Sequence, residues 1–250
     1  MQFGQNILSL FLSIFGSIGV LKIMMDMNFE DMYQNTFFFL IFISVIFFVY
    51  CLGWNLSLTK NEMVCDSMNT SLAIQATVFP YVFIYVLGLS LLFIFPGWLR
   101  SFENTFGLTI VHMCGYSLEK FISKDHIGDK PADTEAKIRL YDSFVKNPDV
   151  LMNEISLQGN DDNEKIRETY INLMKHITGS DAVINLTDDH INTLKKYVTI
   201  KKTVAIMIWV LLLGMLTLLV SQNTLLNNNC QKKVEDRDEF KKYVTNQLRS

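Results

Sequence analysis

The chain has 250 residues, half of them apolar, with a mean hydropathy of +0.23 and a net charge of −3 from 22 basic and 25 acidic residues. Those charges are gathered into blocks: Met1–Leu21, Met32–Thr59, Ser67–Leu99 and Thr203–Gln231 carry no Asp, Glu, Lys or Arg. A bilayer span needs about 20 consecutive apolar residues, so the pattern points to an integral membrane protein and excludes an ordinary soluble enzyme, a secreted disulfide scaffold or a disordered tail protein.

The first stretch, Ile7–Met25, contains Gly16, Gly19 and an internal Lys22. Ser9, Ser13 and Ser17 recur every four residues on one helical face, where small side chains allow close helix–helix packing. It reads as either a span or a helix lying in the interface. The lack of a basic leading segment and of a small-residue cleavage site separates it from a secretory signal. Residues 36–54, TFFFLIFISVIFFVYCLGW, form the clearest span and end in Tyr50 and Trp54, which are expected at headgroup level. Residues 72–98 form a third span, with a kink expected at Pro80 and a stop at Pro96.

Residues 100–202 hold 14 basic and 16 acidic residues and read as a small helical soluble domain between the last two spans. Leu108–Phe121 is still apolar and is expected on the membrane or packed beneath the spans. Ser123–Pro131 reads as a loop. Amphipathic helices are expected over Thr134–Val145 (Ile138, Tyr141, Phe144 and Val145 on one side) and over Asn163–Ile177 (Ile166, Tyr170, Leu173, Met174 and Ile177), with Gly179 as a stop. Thr187 is placed to cap a further helix whose first turn holds Asp188 and Asp189. No proline or glycine separates it from the charge-free run, so it is expected to continue into the last span, 203–221. Lys201 and Lys202 at its mouth are expected to snorkel to lipid phosphates. Residues 222–250 form a polar, mixed-charge tail. The expected fold is therefore all-α: a polytopic membrane protein with three or four transmembrane helices.

No GxSxG, HExxH, Walker A or GxGxxG motif occurs, and the four histidines are scattered. Gly159–Glu164 resembles a calcium loop only superficially, because the D-x-[DN]-x-[DN]-G order is not met. The three clear spans contain no ionisable residue, whereas proton-coupled transporters place such groups at membrane depth. The expectation is a protein that is not an enzyme and has no cofactor.

The most distinctive segment is Phe95–Gly107, FPGWLRSFENTFG. Trp98, Phe102 and Phe106 recur every four residues and are expected to anchor a short surface helix at the membrane, as a plain aromatic belt or as a docking site for a partner. The segment resembles a P-G-W-x-x-x-F-x-N-T-x-G signature of membrane proteins from nucleocytoplasmic large DNA viruses of the phycodnavirus and mimivirus type, with Glu103 standing where a serine is expected. The resemblance implies a minor capsid component in the internal membrane beneath an icosahedral shell. Its partners would be the lipid bilayer, other capsid or minor capsid proteins and copies of itself, with no nucleic acid. The alternatives are a channel or permeation protein and a membrane adaptor or assembly factor outside the virion.

Two spans separate the segment 55–71 from the tail, so both are expected on one side of the membrane and the domain on the other. The lysines at 195, 196, 201 and 202 with Arg100 favour a cytosolic domain. Cys65 and Cys230 would then share the oxidising side, either paired or as two free thiols, with Cys114 opposite. The sequon Asn55-Leu56-Ser57 falls in the same loop.

Overall fold

The computed structural model describes residues 2–28, 36–60, 70–114, 135–146, 153–155, 163–178 and 187–229. Among them the chain is all-helical: α1 (Gln2–Asn28), α2 (Thr36–Lys60), α3 (Thr70–Pro80), a π-helical segment π1 (Tyr81–Val86), α4 (Leu87–Ile94), α5 (Gly97–Phe102), a second π segment π2 (Glu103–Gly107), α6 (Leu108–Met113), α7 (Glu135–Lys146), α8 (Asn163–Thr178) and α9 (Asp188–Asn229). Four helical stretches are long and apolar enough to cross a bilayer: Ile7–Met25, Phe38–Thr59, Thr70–Ile94 and one within Asp188–Leu225. The expected Pro80 kink takes the form of a π segment. Proline lacks the N–H that would bond the carbonyl four residues back, and the ladder widens over the next turn. The expected stop also holds: Phe95 leaves helical geometry and Pro96 starts the next helix.

The chain divides into two compact units. Unit 1 comprises Met1–Ser17, Thr36–Phe95 and Trp209–Ser250. Its centre is aromatic. Phe11, Phe15 and Phe47 are buried, with centroid separations from 4.7 to 5.7 Å, and Tyr85 lies 4.6 Å from Phe47. Offset and edge-on ring pairs add about 0.5–1.5 kcal/mol each beyond their buried area. Two tyrosines also tie helices together by backbone bonds: Tyr50 donates to the Ile7 carbonyl at 3.2 Å and Tyr81 to the Ser44 carbonyl at 3.0 Å. Gly214 admits the Phe11 ring, and Gly88 admits Leu213 while its carbonyl accepts from Trp209 Nε1 at 3.2 Å.

Unit 2 comprises Ile18–Asn35 and Pro96–Ile208. Its core is built on α9, where Ile191, Leu194, Val198 and Tyr197 are buried, together with Ile166, Tyr170 and Met174 of α8 at a spacing of four. The two helices are also joined by an Arg167–Asp188 ion pair at 2.5 Å and by Asn163 Nδ2 donating to Asn192 Oδ1 at 2.7 Å. Leu108 and Val111 of α6 are buried in this core; residues 115–121 of that apolar run lie outside the described residues. The second half of α1 enters the unit as well: Gly19 lies against Met207, and Ile23 packs on the core. Thr187 caps α9 as expected, its carbonyl and hydroxyl accepting from the N–H groups of Ile191 and His190. The helix then runs uninterrupted for 42 residues.

The loop Ser123–Pro131, the stop at Gly179, the segment Gly159–Asp162, residues 230–250, and both Cys65 and Cys230 lie outside the described residues, as do the side chains of Tyr141, Phe144, Val145 and Ile177.

Candidate functional site: buried polar centres among apolar helices

Within unit 2 the polar centre is Lys201, whose side chain is 1% exposed. Its Nζ donates to Asn104 Oδ1 at 3.1 Å and to the Ile155 carbonyl at 3.4 Å, drawing π2 and the 153–155 segment onto α9. The buried Glu103 supplies the opposing charge. Burial pushes its carboxyl above the ordinary carboxylate range, and the positive charges of Lys201, Lys202 and Arg100 only partly offset that push. Gly107 makes the approach possible, because a Cβ there would stand 2.5 Å from the Lys201 carbonyl oxygen and 3.0 Å from its Cα. Glu103, Asn104 and Gly107 all lie on the π turn, a local widening often found where a helix must present groups out of regular register.

Within unit 1 the polar centre is Asn55, 1% exposed on α2. Its Nδ2 donates to Thr77 Oγ1 of α3 at 2.8 Å and to Ser221 Oγ of α9 at 2.6 Å. The Cys51 thiol donates weakly to Ser221 Oγ at 3.8 Å, and the Thr77 hydroxyl is returned to the Ala73 carbonyl at 2.8 Å. Thr59 and Thr217, both buried, extend this seam by a turn on α2 and on α9. Three apolar helices are thus joined by one side-chain amide.

Several sequence expectations are corrected. Lys201 does not snorkel, since its ammonium is held inside unit 2; only Lys202, half-buried, remains near the surface. Trp54 is not an end-of-span belt residue, because α2 continues to Lys60. Its ring packs against the cluster of Leu58, Ala73, Ala76 and Leu225, and its indole N–H is buried with no hydrogen-bond partner among the described residues. Ser9, Ser13 and Ser17 are exposed, and Ser17 donates to the Ser13 carbonyl. The packed face of α1 carries Ile7, Phe11 and Phe15 instead, because large rings fill the space toward α2 better than hydroxyls do. Asn55 is a helix residue with its amide engaged, and not a loop sequon. Trp98 and Phe106 are exposed and Phe102 is half-buried, the last two stacked with centroids 6.3 Å apart.

Sequence signals for both centres existed. Lys201 continues the spacing Ile191, Leu194, Val198 and so falls on the apolar stripe of α9. Cys51, Asn55 and Thr59 recur every four residues at the end of a charge-free run.

No family model, curated protein or solved structure matches the chain.

Proposed function

We propose that the chain is a viral structural membrane protein, a minor capsid component that fixes a capsid shell to an internal membrane. The observation that carries this reading is α9, a single helix that bears both the core face of the helical unit and the charge-free run 203–221. At 1.5 Å per residue its 42 residues extend about 63 Å. A continuous helix without a hinge suits a mechanical tie between lipid and a protein layer better than a gate. The viral part of the reading rests on the Pro96–Gly107 resemblance. In this role the spans hold the lipid, while the helical unit and tail bind capsid proteins through weak contacts multiplied over a lattice. The test is fractionation of purified particles. The protein should resist salt washing, leave with detergent, and cross-link to shell proteins from its helical unit; absence from particles would overturn the reading.

A permeation function is the second reading, favoured by the polar seam of Cys51, Asn55, Thr59, Thr77, Thr217 and Ser221. Solute flux through vesicles containing the purified chain, abolished by Asn55→Leu, would support it over the anchor.

A further inference from the structure

We infer that the outer ridge of the helical rod Gly97–Met113 is a bilayer-docking surface, seated in the headgroup layer with phospholipid as its partner. Elements α5, π2 and α6 follow one another without a break. Leu99, Glu103, Gly107, Leu108 and Val111 turn inward and are buried. On the outside Trp98 is 47% exposed, Phe106 54% and Met113 77%, with Phe102 stacked on Phe106.

The level of the rod comes from contacts within unit 2. Gly107 rests on the backbone of Lys201, two residues before the charge-free run begins at Thr203. Two residues of helix are about 3 Å. The rod therefore meets α9 where its apolar stretch starts. The same unit contains Ile23 of α1 and Ile208 of α9, both from membrane-competent stretches and both packed on its core. The hydroxyls on the exposed side fit this level too: Thr105 donates to the Ser101 carbonyl at 2.7 Å and Thr109 to the Thr105 carbonyl at 2.9 Å. Hydroxyls returned to the helix backbone need no water. A tryptophan, two phenylalanines and a methionine on one side, with hydroxyls and the exposed Arg100 flanking them, match the composition of an in-plane interfacial helix.

The inference rests on the membrane part of the proposed function and not on its viral part. Its test uses the full chain in phosphatidylcholine–phosphatidylglycerol vesicles and two single-tryptophan forms, one keeping Trp98 (W54F/W209F) and one keeping Trp209 (W54F/W98F). Lipids brominated near the headgroup should quench Trp98 strongly and those brominated near the chain end only weakly, while aqueous iodide has little effect. Trp209 should answer to the deeper bromines. If Trp98 is quenched by iodide and not by lipid while Trp209 is quenched by lipid, docking is overturned and the spans stand. If neither tryptophan answers to lipid, both fall. Shielding of Trp98 that disappears when the protein is diluted in lipid would assign the ridge to a second copy and also overturn docking. A phospholipid with a photoreactive headgroup, applied to the unaltered chain, provides a check free of substitutions: adducts must map to residues 97–113.

Discussion

Asn55 shows how one polar side chain organises an apolar bundle. Hydrogen bonds between helices in a membrane contribute about 0.6 kcal/mol on average and rarely more than about 1.7, and this amide makes two. Asn55→Ala should therefore lower stability by about 1–2 kcal/mol, read as a lower midpoint of unfolding in mixed detergent micelles. Lys201 and Glu103 carry higher stakes. Removing a buried donor costs about 1–3 kcal/mol for an acceptor left unsatisfied. Lys201→Met, which strips Asn104 Oδ1 and the Ile155 carbonyl of this donor, should thus destabilise strongly, read as a lower midpoint of unfolding. Glu103 also sets a pH dependence. Its folded-state carboxyl holds a proton at a pH where the unfolded chain has already released it. Between the ordinary carboxylate range and this raised value, stability therefore rises as pH falls and is lost as pH rises. Glu103→Gln should flatten that slope in denaturation measured across acidic pH.

Glycines separate close packing from mere presence among the elements. A methyl group at Gly107 would press on backbone atoms of α9, which cannot swing away. Gly107→Ala should cost about 1–3 kcal/mol through overpacking. Gly16 has nothing within 4 Å of its missing Cβ. Gly16→Ala should instead stabilise by about 0.5–1 kcal/mol through helix propensity, and thermal unfolding of the two variants side by side checks the contrast. Leu212, 43% exposed in the charge-free part of α9, faces the surface a lipid would cover. Leu212→Arg there costs about 2.5–3.5 kcal/mol on insertion scales and should make a fragment containing only Thr187–Ser250 carbonate-extractable. At this scale the sequence was largely readable: charge-free runs located the apolar helices, Pro80 and Pro96 marked the irregular turns, and the lack of breakers between Thr187 and Val204 foretold a continuous helix. Side-chain destinations were less readable. A lysine beside an apolar run looks the same whether it reaches water or buried amide and carbonyl oxygens, and Asn55 looked like a loop residue because polar Asn, Ser and Thr follow Trp54. The partners that decide such cases lie 22 to 166 residues away.

For the whole molecule, the stretches from 70–94 and within α9 both qualify as spans. If both cross a bilayer, the chain before Thr70 and the chain after Asn229 are expected on one side and Cys114 on the other. An impermeant thiol reagent on sealed membranes should accordingly treat Cys65 and Cys230 alike and Cys114 differently, while the buried Cys51 reacts only after denaturation. Opposite responses from Cys65 and Cys230 would require a different number of crossings.

Helix α9 passes from a charged, capped beginning to an apolar stretch without a gap in its main-chain hydrogen bonds. Beyond its capped first turn, the amides along it are satisfied within the helix, on both sides of the change from high to low dielectric. Backbone opening at that boundary would expose N–H and C=O groups with no water on one side to receive them, so opening is confined to the ends. Amide hydrogen exchange along α9 should accordingly begin near Asp188 and near Asn229 and advance inward, leaving the boundary residues around Lys201–Thr203 among the last to exchange.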